Sequence, residues 1–203
     1  MDPKTEIPVH QDLSAEDEVL VAALQAGDTE ALGKLFVRRA PEVRRLLLSV
    51  MGPNAELDDL VQDVFLKVHR SIGKFRKEAR FSTWLHQITV YTAISSLRKP
   101  RRLVSLPDSA AETLEGGAAT PENAAVSRER INRLFALLET LSVKRRVAFT
   151  LFTIDGLPLR ETAKILGVPE TVAKSRIFFA RRELFKKAAS DPYLAPLLEE
   201  WNP

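Results

Sequence analysis

The chain has 203 residues and a hydrophobic fraction of 45%, enough apolar material for one large domain or two small ones. It contains no cysteine, which excludes disulfides and thiolate metal sites and removes any link to an oxidising compartment. Its N-terminus, MDPKTEIPVHQDLSAEDEV, is acidic and has no apolar run long enough for a signal peptide or membrane span, so a cytoplasmic protein without membrane insertion is expected.

The formal net charge is only +3, but its distribution is uneven. Residues 1–27 hold six acids and one base, residues 28–97 eleven bases and eight acids, and residues 98–102 four bases. Residues 103–127 hold four acids and no base, residues 128–190 fourteen bases and six acids, and residues 191–203 three acids. Two basic blocks on an acidic tether suggest two modules that face a polyanion.

Few aromatics, eight glycines and long stretches of Leu, Ala, Arg and Glu predict an all-α chain. The first helix is expected over residues 14–26. The second covers residues 29–51, bent near Pro41 and stopped by Gly52-Pro53. A third follows Asn54 as N-cap, with Leu57, Leu60, Val61, Val64, Phe65 and Val68 on one face. The fourth lies within RFSTWLHQITVYTAISSLRKPRR, residues 80–102, capped by Ser82 or Thr83.

Residues 103–127 replace apolar periodicity with Gly-Gly, prolines and small polar residues, and read as a flexible linker. Helices are expected at residues 128–139 and 143–154. Residues 159–166, the turn Gly167-Val168-Pro169 and a helix from residue 170 to 187 then form a helix-turn-helix pattern. The division expected is an N-terminal extension (1–14), a helical domain (15–102), the linker (103–127), a helix-turn-helix domain (128–189) and a tail (190–203). In that tail Leu194, Leu197, Leu198 and Trp201 can form an amphipathic helix packed on its own domain.

Two segments carry the chemistry of nucleic-acid binding. With Ala173, Ile177 and Ala180 turned inward, Glu170, Thr171, Lys174, Ser175, Phe178 and Arg182 project outward, with Arg176 at their flank. That mix suits base edges and phosphates of a duplex. Arg145, Arg146 and Arg160 extend the positive surface toward phosphate. Earlier in the chain, Phe75, Arg76, Lys77, Arg80, Phe81 and Trp84 set three rings among cations, with Arg98 and Arg101 beyond the fourth helix. Unstacked bases restack on rings while cations hold their backbone, so this pattern predicts a platform for single-stranded nucleic acid. The blander alternatives are a solvated basic face for the first segment and core packing for the second.

Asp58, Asp59, Gln62, Asp63 and Leu66 share an outward face of the third helix. A leucine framed by acids suggests a protein partner rather than a metal site, since no histidine or distant acid completes a coordination set. His10, His69 and His86 lie apart from any nucleophile, and no phosphate loop, serine elbow or HExxH motif occurs, so no enzyme activity, cofactor or metal is expected.

The segments ELDDLVQDVFLKVHRSIGKFRKEARFSTWLHQI and LRETAKILGVPETVAKSRIFFARREL together resemble the two domains of bacterial sigma factors of the extracytoplasmic-function group, in the sigma-70 family. The resemblance runs from about Val19 to Ala188. It implies a region 2 domain and a region 4 domain that bind core RNA polymerase and direct it to promoters. By that resemblance Asp58, Asp59, Gln62, Asp63 and Leu66 dock on the clamp of the largest subunit. Phe75 to Trp84 capture flipped bases of the minus-ten element, and Glu170, Thr171, Lys174, Ser175 and Arg176 read the minus-thirty-five element as duplex. An anti-sigma factor is the further partner implied. The chain departs from the family pattern at His69, Val90-Tyr91, Ser95 and Thr171-Val172-Ala173. The alternative is a helix-turn-helix regulator that acts without replacing sigma.

Overall fold

A computed structural model of the chain describes residues 14–53, 56–98 and 121–200. All regular structure among them is helical: α1 (Ser14–Gln25), α2 (Glu30–Met51), α3 (Leu57–Ser71), α4 (Phe81–Leu97), α5 (Pro121–Glu139), α6 (Val143–Phe149), α7 (Leu159–Leu166), α8 (Glu170–Ala188) and α9 (Ala195–Glu200). No described helix is long and apolar enough to cross a membrane.

The front four helices form one bundle around a shared apolar core, α2 and α3 through one apolar face each and α4 by being buried on most sides. Val21 and Leu24 of α1 meet Leu35, Val43 and Leu47 of α2, Val61, Val64 and Val68 of α3, and Leu85 of α4. The α2 helix stays helical through Pro41. A buried polar chain ties three of the helices together. Arg39 of α2 donates to Asp17 of α1 (Nε to Oδ2, 2.9 Å) and pairs with Glu42 (2.5 Å), which in turn holds His86 Nε2 of α4 at 2.8 Å. Burial alone would raise the Glu42 carboxyl, but the hydrogen bond and charge of His86, joined by Arg39, bring it down to about 2.

Glu56 stands at the N-cap position of α3, where Asn54 was expected, and Asn54 itself lies outside the described residues. At α4 the N-cap is Arg80, with no side-chain cap bond. Ser82 and Thr83 lie inside the helix, and Thr83 spends its hydroxyl on a distant partner instead. Behind the linker, α5 begins at Pro121, so residues 121–127 are helix where linker was expected. The rest of the linker lies outside the described residues.

The α6 helix continues through a wider π-helical segment, Thr150–Ile154, before Asp155-Gly156 ends it. The α7 to α8 turn rests on Gly167, whose φ of 62° is left-handed, with the Val168 N–H returning to the Ala163 carbonyl at 3.1 Å. Its shared core includes Ala163, Ala173, Ile177 and Ala180, all buried. The tail folds back through Asp191, which accepts from Arg133 at 3.0 Å, while that guanidinium lies 4.5 Å over the Tyr193 ring and Leu194 is buried. Leu197 and Trp201 are outside the side chains described.

The two halves are in contact. Val147, Leu151, Leu157 and Ile165 from the back half belong to the same buried core as Val50, Met51 and Leu85 from the front. Gly52, turning out of α2 at φ 74°, lies against the ring of Phe135.

Candidate nucleic-acid interface

The α8 helix presents the face read from its sequence. Ala173, Ile177 and Ala180 point into the domain, and Glu170, Thr171, Lys174, Ser175 and Arg182 stand in solvent with Arg176 half-buried at the edge. Phe178 is 59% exposed, an unusual position for a phenylalanine, and its ring meets that of Phe179 edge-on at 5.5 Å. Arg145 stacks over Phe179 at 5.4 Å, and Arg160 is exposed near the start of α7. Arg146, by contrast, is buried and donates to the Glu139 carbonyl at 3.1 Å, so it serves the fold rather than the positive surface. Such a face offers donors, acceptors and an apolar edge to a duplex groove.

The ring segment is arranged differently from an open platform. Phe75 and Phe81 are only 9% and 6% exposed and pack into the front core, while Trp84 is half-buried. The three rings contact one another, at 5.0 Å for Phe75 and Trp84, 5.8 Å for Phe81 and Trp84, and 6.0 Å for Phe75 and Phe81. Gln25 fixes the loop by donating to the carbonyls of Ile72 (2.9 Å) and Phe75 (3.0 Å), which turns the Phe75 ring inward. Two rings therefore support the third, and Trp84 alone can offer a face to a ligand.

Around Trp84 lies an open cleft of about 300 Å³, lined by Lys74, Phe75, Arg76, Glu78, Gln87 and Lys164 among others. Arg76, Lys77 and Arg80 are exposed beside it, Lys77 in a left-handed conformation with φ 57°. Arg98 is exposed at the end of α4, and Arg101 lies outside the described residues. Sequence reasoning missed Gln87 and Lys164. Gln87 sits three residues beyond Trp84 and was findable from helical spacing. Lys164 comes from the other half of the chain, and no local pattern connects it to the cleft.

Along α3, Asp58, Asp59, Gln62 and Asp63 are exposed and Leu66 is 48% exposed among them. Asp58 accepts from Arg44 Nε at 3.1 Å. The groove beside this face, between α2 and α3, includes Phe36, Val37, Pro41 and Val61.

Residues 35–103 match the family Sigma-70 region 2, and residues 131–184 match Sigma-70, region 4. The ECF RNA polymerase sigma-E factor of Escherichia coli K12 is 37% identical over 181 residues, covering 84% of this chain and 93% of its own length. That of Haemophilus influenzae is 34% identical over 179 residues, covering 84% and 94%. The chain belongs to the extracytoplasmic-function sigma factors. It is an alternative sigma factor for transcription initiation, and sigma factors are non-catalytic.

In this sigma factor the region 2 match takes in most of α2 and all of α3 and α4, and the region 4 match runs from late α5 into α8. Two solved structures share the fold. CnrH in complex with the cytosolic domain of CnrY has a TM-score of 0.65 at 24% identity, covering 86% of this chain and 98% of that one. The sigma factor RpoE of Bartonella quintana, solved with the anti-sigma factor NepR, has a TM-score of 0.58 at 20% identity, covering 78% and 97%.

Proposed function

We propose that this sigma factor brings core RNA polymerase to promoters by reading the minus-thirty-five element as duplex with α8 and holding opened minus-ten bases with region 2. The observation that carries the reading is the α8 face. Its polar groups and Phe178 stand clear of the fold on a helix whose opposite side is buried, a shape that enters a major groove without rearrangement. Glu170, Thr171, Lys174, Ser175, Arg176 and Phe178 meet base edges and nearby phosphates, and Arg160 meets backbone.

In region 2, Trp84 stacks on an extruded base with Phe75 and Phe81 as its support, and Arg76, Lys77, Arg80, Arg98 and Arg101 hold the strand by charge. Asp58, Asp59, Gln62, Asp63 and Leu66 form the docking face for the largest polymerase subunit. An anti-sigma protein is the regulatory partner, as NepR is for the Bartonella relative, and the site of action is the cytoplasm, where polymerase and DNA meet.

Run-off transcription with purified core polymerase on genomic fragments tests the reading. Expected are transcripts that require both this chain and core enzyme. Tight binding to a palindromic duplex without polymerase, and no added initiation, would assign the chain instead to the regulators that do not replace sigma.

A further inference from the structure

Val37 of α2 and Val19 of α1 are 77% and 68% exposed, at the outer edge of an apolar surface that also takes in Phe36 and Pro41. Two open clefts meet at Val37, one of about 580 Å³ between α1 and α2 and one of about 530 Å³ between α2 and α3. Continuous apolar surface of this kind marks a contact site.

Positive charge runs along the same groove. Lys34 and Arg45 stand exposed at its two ends, with Arg38 and Arg44 between them. Glu16 and Asp58 answer Arg38 and Arg44 in part. Arg38 Nη2 is still buried without a hydrogen-bond partner among the described residues, a donor that an incoming carboxylate would satisfy.

The groove therefore fits an acidic segment with apolar side chains. Residues 1–13, MDPKTEIPVHQDL, have that chemistry, with Asp2, Glu6 and Asp12 against one lysine and with Ile7, Val9 and Leu13 as apolar groups. A residue before proline favours extended backbone, as Ile7 does before Pro8, and in an extended chain positions 7 and 9 share a side.

Reach also favours this segment. The α1 and α2 helices form a hairpin with Glu16 and Asp17 beside Arg38 and Arg39, so the chain ahead of Ser14 leaves beside the middle of α2. Arg38 to Arg45 spans about 10 Å of helix. The residues from Ser14 back to Ile7 cover up to about 23 Å when extended.

We infer that residues 1–13 lie along this groove, with Ile7 and Val9 against Val37 and Pro41 and the acids toward Arg38 and Arg45. Asp58 and Gln62 of the polymerase-docking face line the same groove, so this segment and polymerase compete for one surface. The competition rests on that reading of α3, whereas the seating of the segment does not.

Because the chain has no cysteine, Val37→Cys gives a single thiol to follow in the full chain. Its labelling by a maleimide is expected to be several-fold slower than in the same chain carrying Ile7→Ser and Val9→Ser, with the protection shrinking at high salt. Val172→Cys, exposed in region 4, should label at equal rates in both backgrounds. In a second arm, the cysteine-free chain with Ile7→Ser and Val9→Ser is expected to bind core polymerase several-fold more tightly than the parent.

Equal labelling of position 37 in the two backgrounds would overturn the inference, as would a parallel change at position 172, which would mark a general loosening of the fold. Protection that grows with chain concentration would overturn it by giving the groove to a second copy. An unchanged affinity for polymerase would overturn the competition. If neither chain bound polymerase, the docking reading of α3 would fail, and the labelling rates would still decide what lies in the groove.

Discussion

The two surfaces suited to nucleic acid are treated in opposite ways. The α8 face stands free in solvent, while the Trp84 face of α4 is bridged by Glu161 and Lys164 from α7. The difference matches what each is proposed to hold. A duplex reader needs a rigid helix with polar groups, and those tolerate water until DNA replaces it. The ring proposed to stack on an unpaired base is apolar, and Trp84 stays half-buried at an open cleft while Thr83 and Gln87 beside it bond to α7. One surface stands free, and two side chains of the other are engaged within the fold.

The strongest challenge to this contrast is at the junction that holds α7 against α4. Leu151 is fully buried among residues of both halves, and Leu151→Ala is expected to cost about 3 kcal/mol. Urea denaturation should show the midpoint falling and the single transition separating into two as the halves uncouple. An unchanged midpoint with a single transition would mean that Leu151 does not help to join the halves.

The two faces should next part company in the kinetics of initiation. Trp84→Ala is expected to weaken strand capture by about 2 kcal/mol through lost stacking, seen as reduced permanganate reactivity of promoter thymines with closed complexes preserved. Arg176→Ala should do the reverse, lowering affinity for the upstream duplex by about 1–2 kcal/mol in a binding selection while leaving strand opening in formed complexes unaltered. Equal loss of both steps in either variant would erase the division between the faces.

The smallest effect sharpens the contrast through pH. Burial pushes the Asp155 carboxyl up to about 6 in the folded chain, against the opposing pull of Arg45 and His86, with Glu42 adding to the rise. The folded chain therefore holds this proton more tightly than the unfolded one. The stability this adds is fully present below the ordinary carboxylate range near 3.8 and is lost as pH rises through about 6. Stability to urea should fall by about 1 kcal/mol between pH 5 and pH 7, and Asp155→Asn should flatten that dependence.

Much of the framework is legible without coordinates. Apolar residues at three and four spacing define α3 and α8, and Gly167 marks the turn because a left-handed residue there strains any side chain. The inward set Ala173, Ile177 and Ala180 is found buried, and with it the outward face is fixed. The ring segment is legible only in part. Its residues are the right kind, but spacing could not show that Gln25 anchors the loop and turns Phe75 inward, leaving Trp84 as the available ring. Thr83 reads as a helix cap by residue type, yet its acceptor is 78 positions away.

The sequence alone determined most of the helices, the apolar faces of α3 and α8, the two basic blocks and the two-part family match, because each depends on neighbours within a few turns. Only the tertiary structure decided which rings are buried, that Lys164 joins the Trp84 cleft, and that region 4 packs on region 2. Those outcomes depend on pairings between residues far apart in the chain, whose energies are set by which surfaces meet and not by any local pattern.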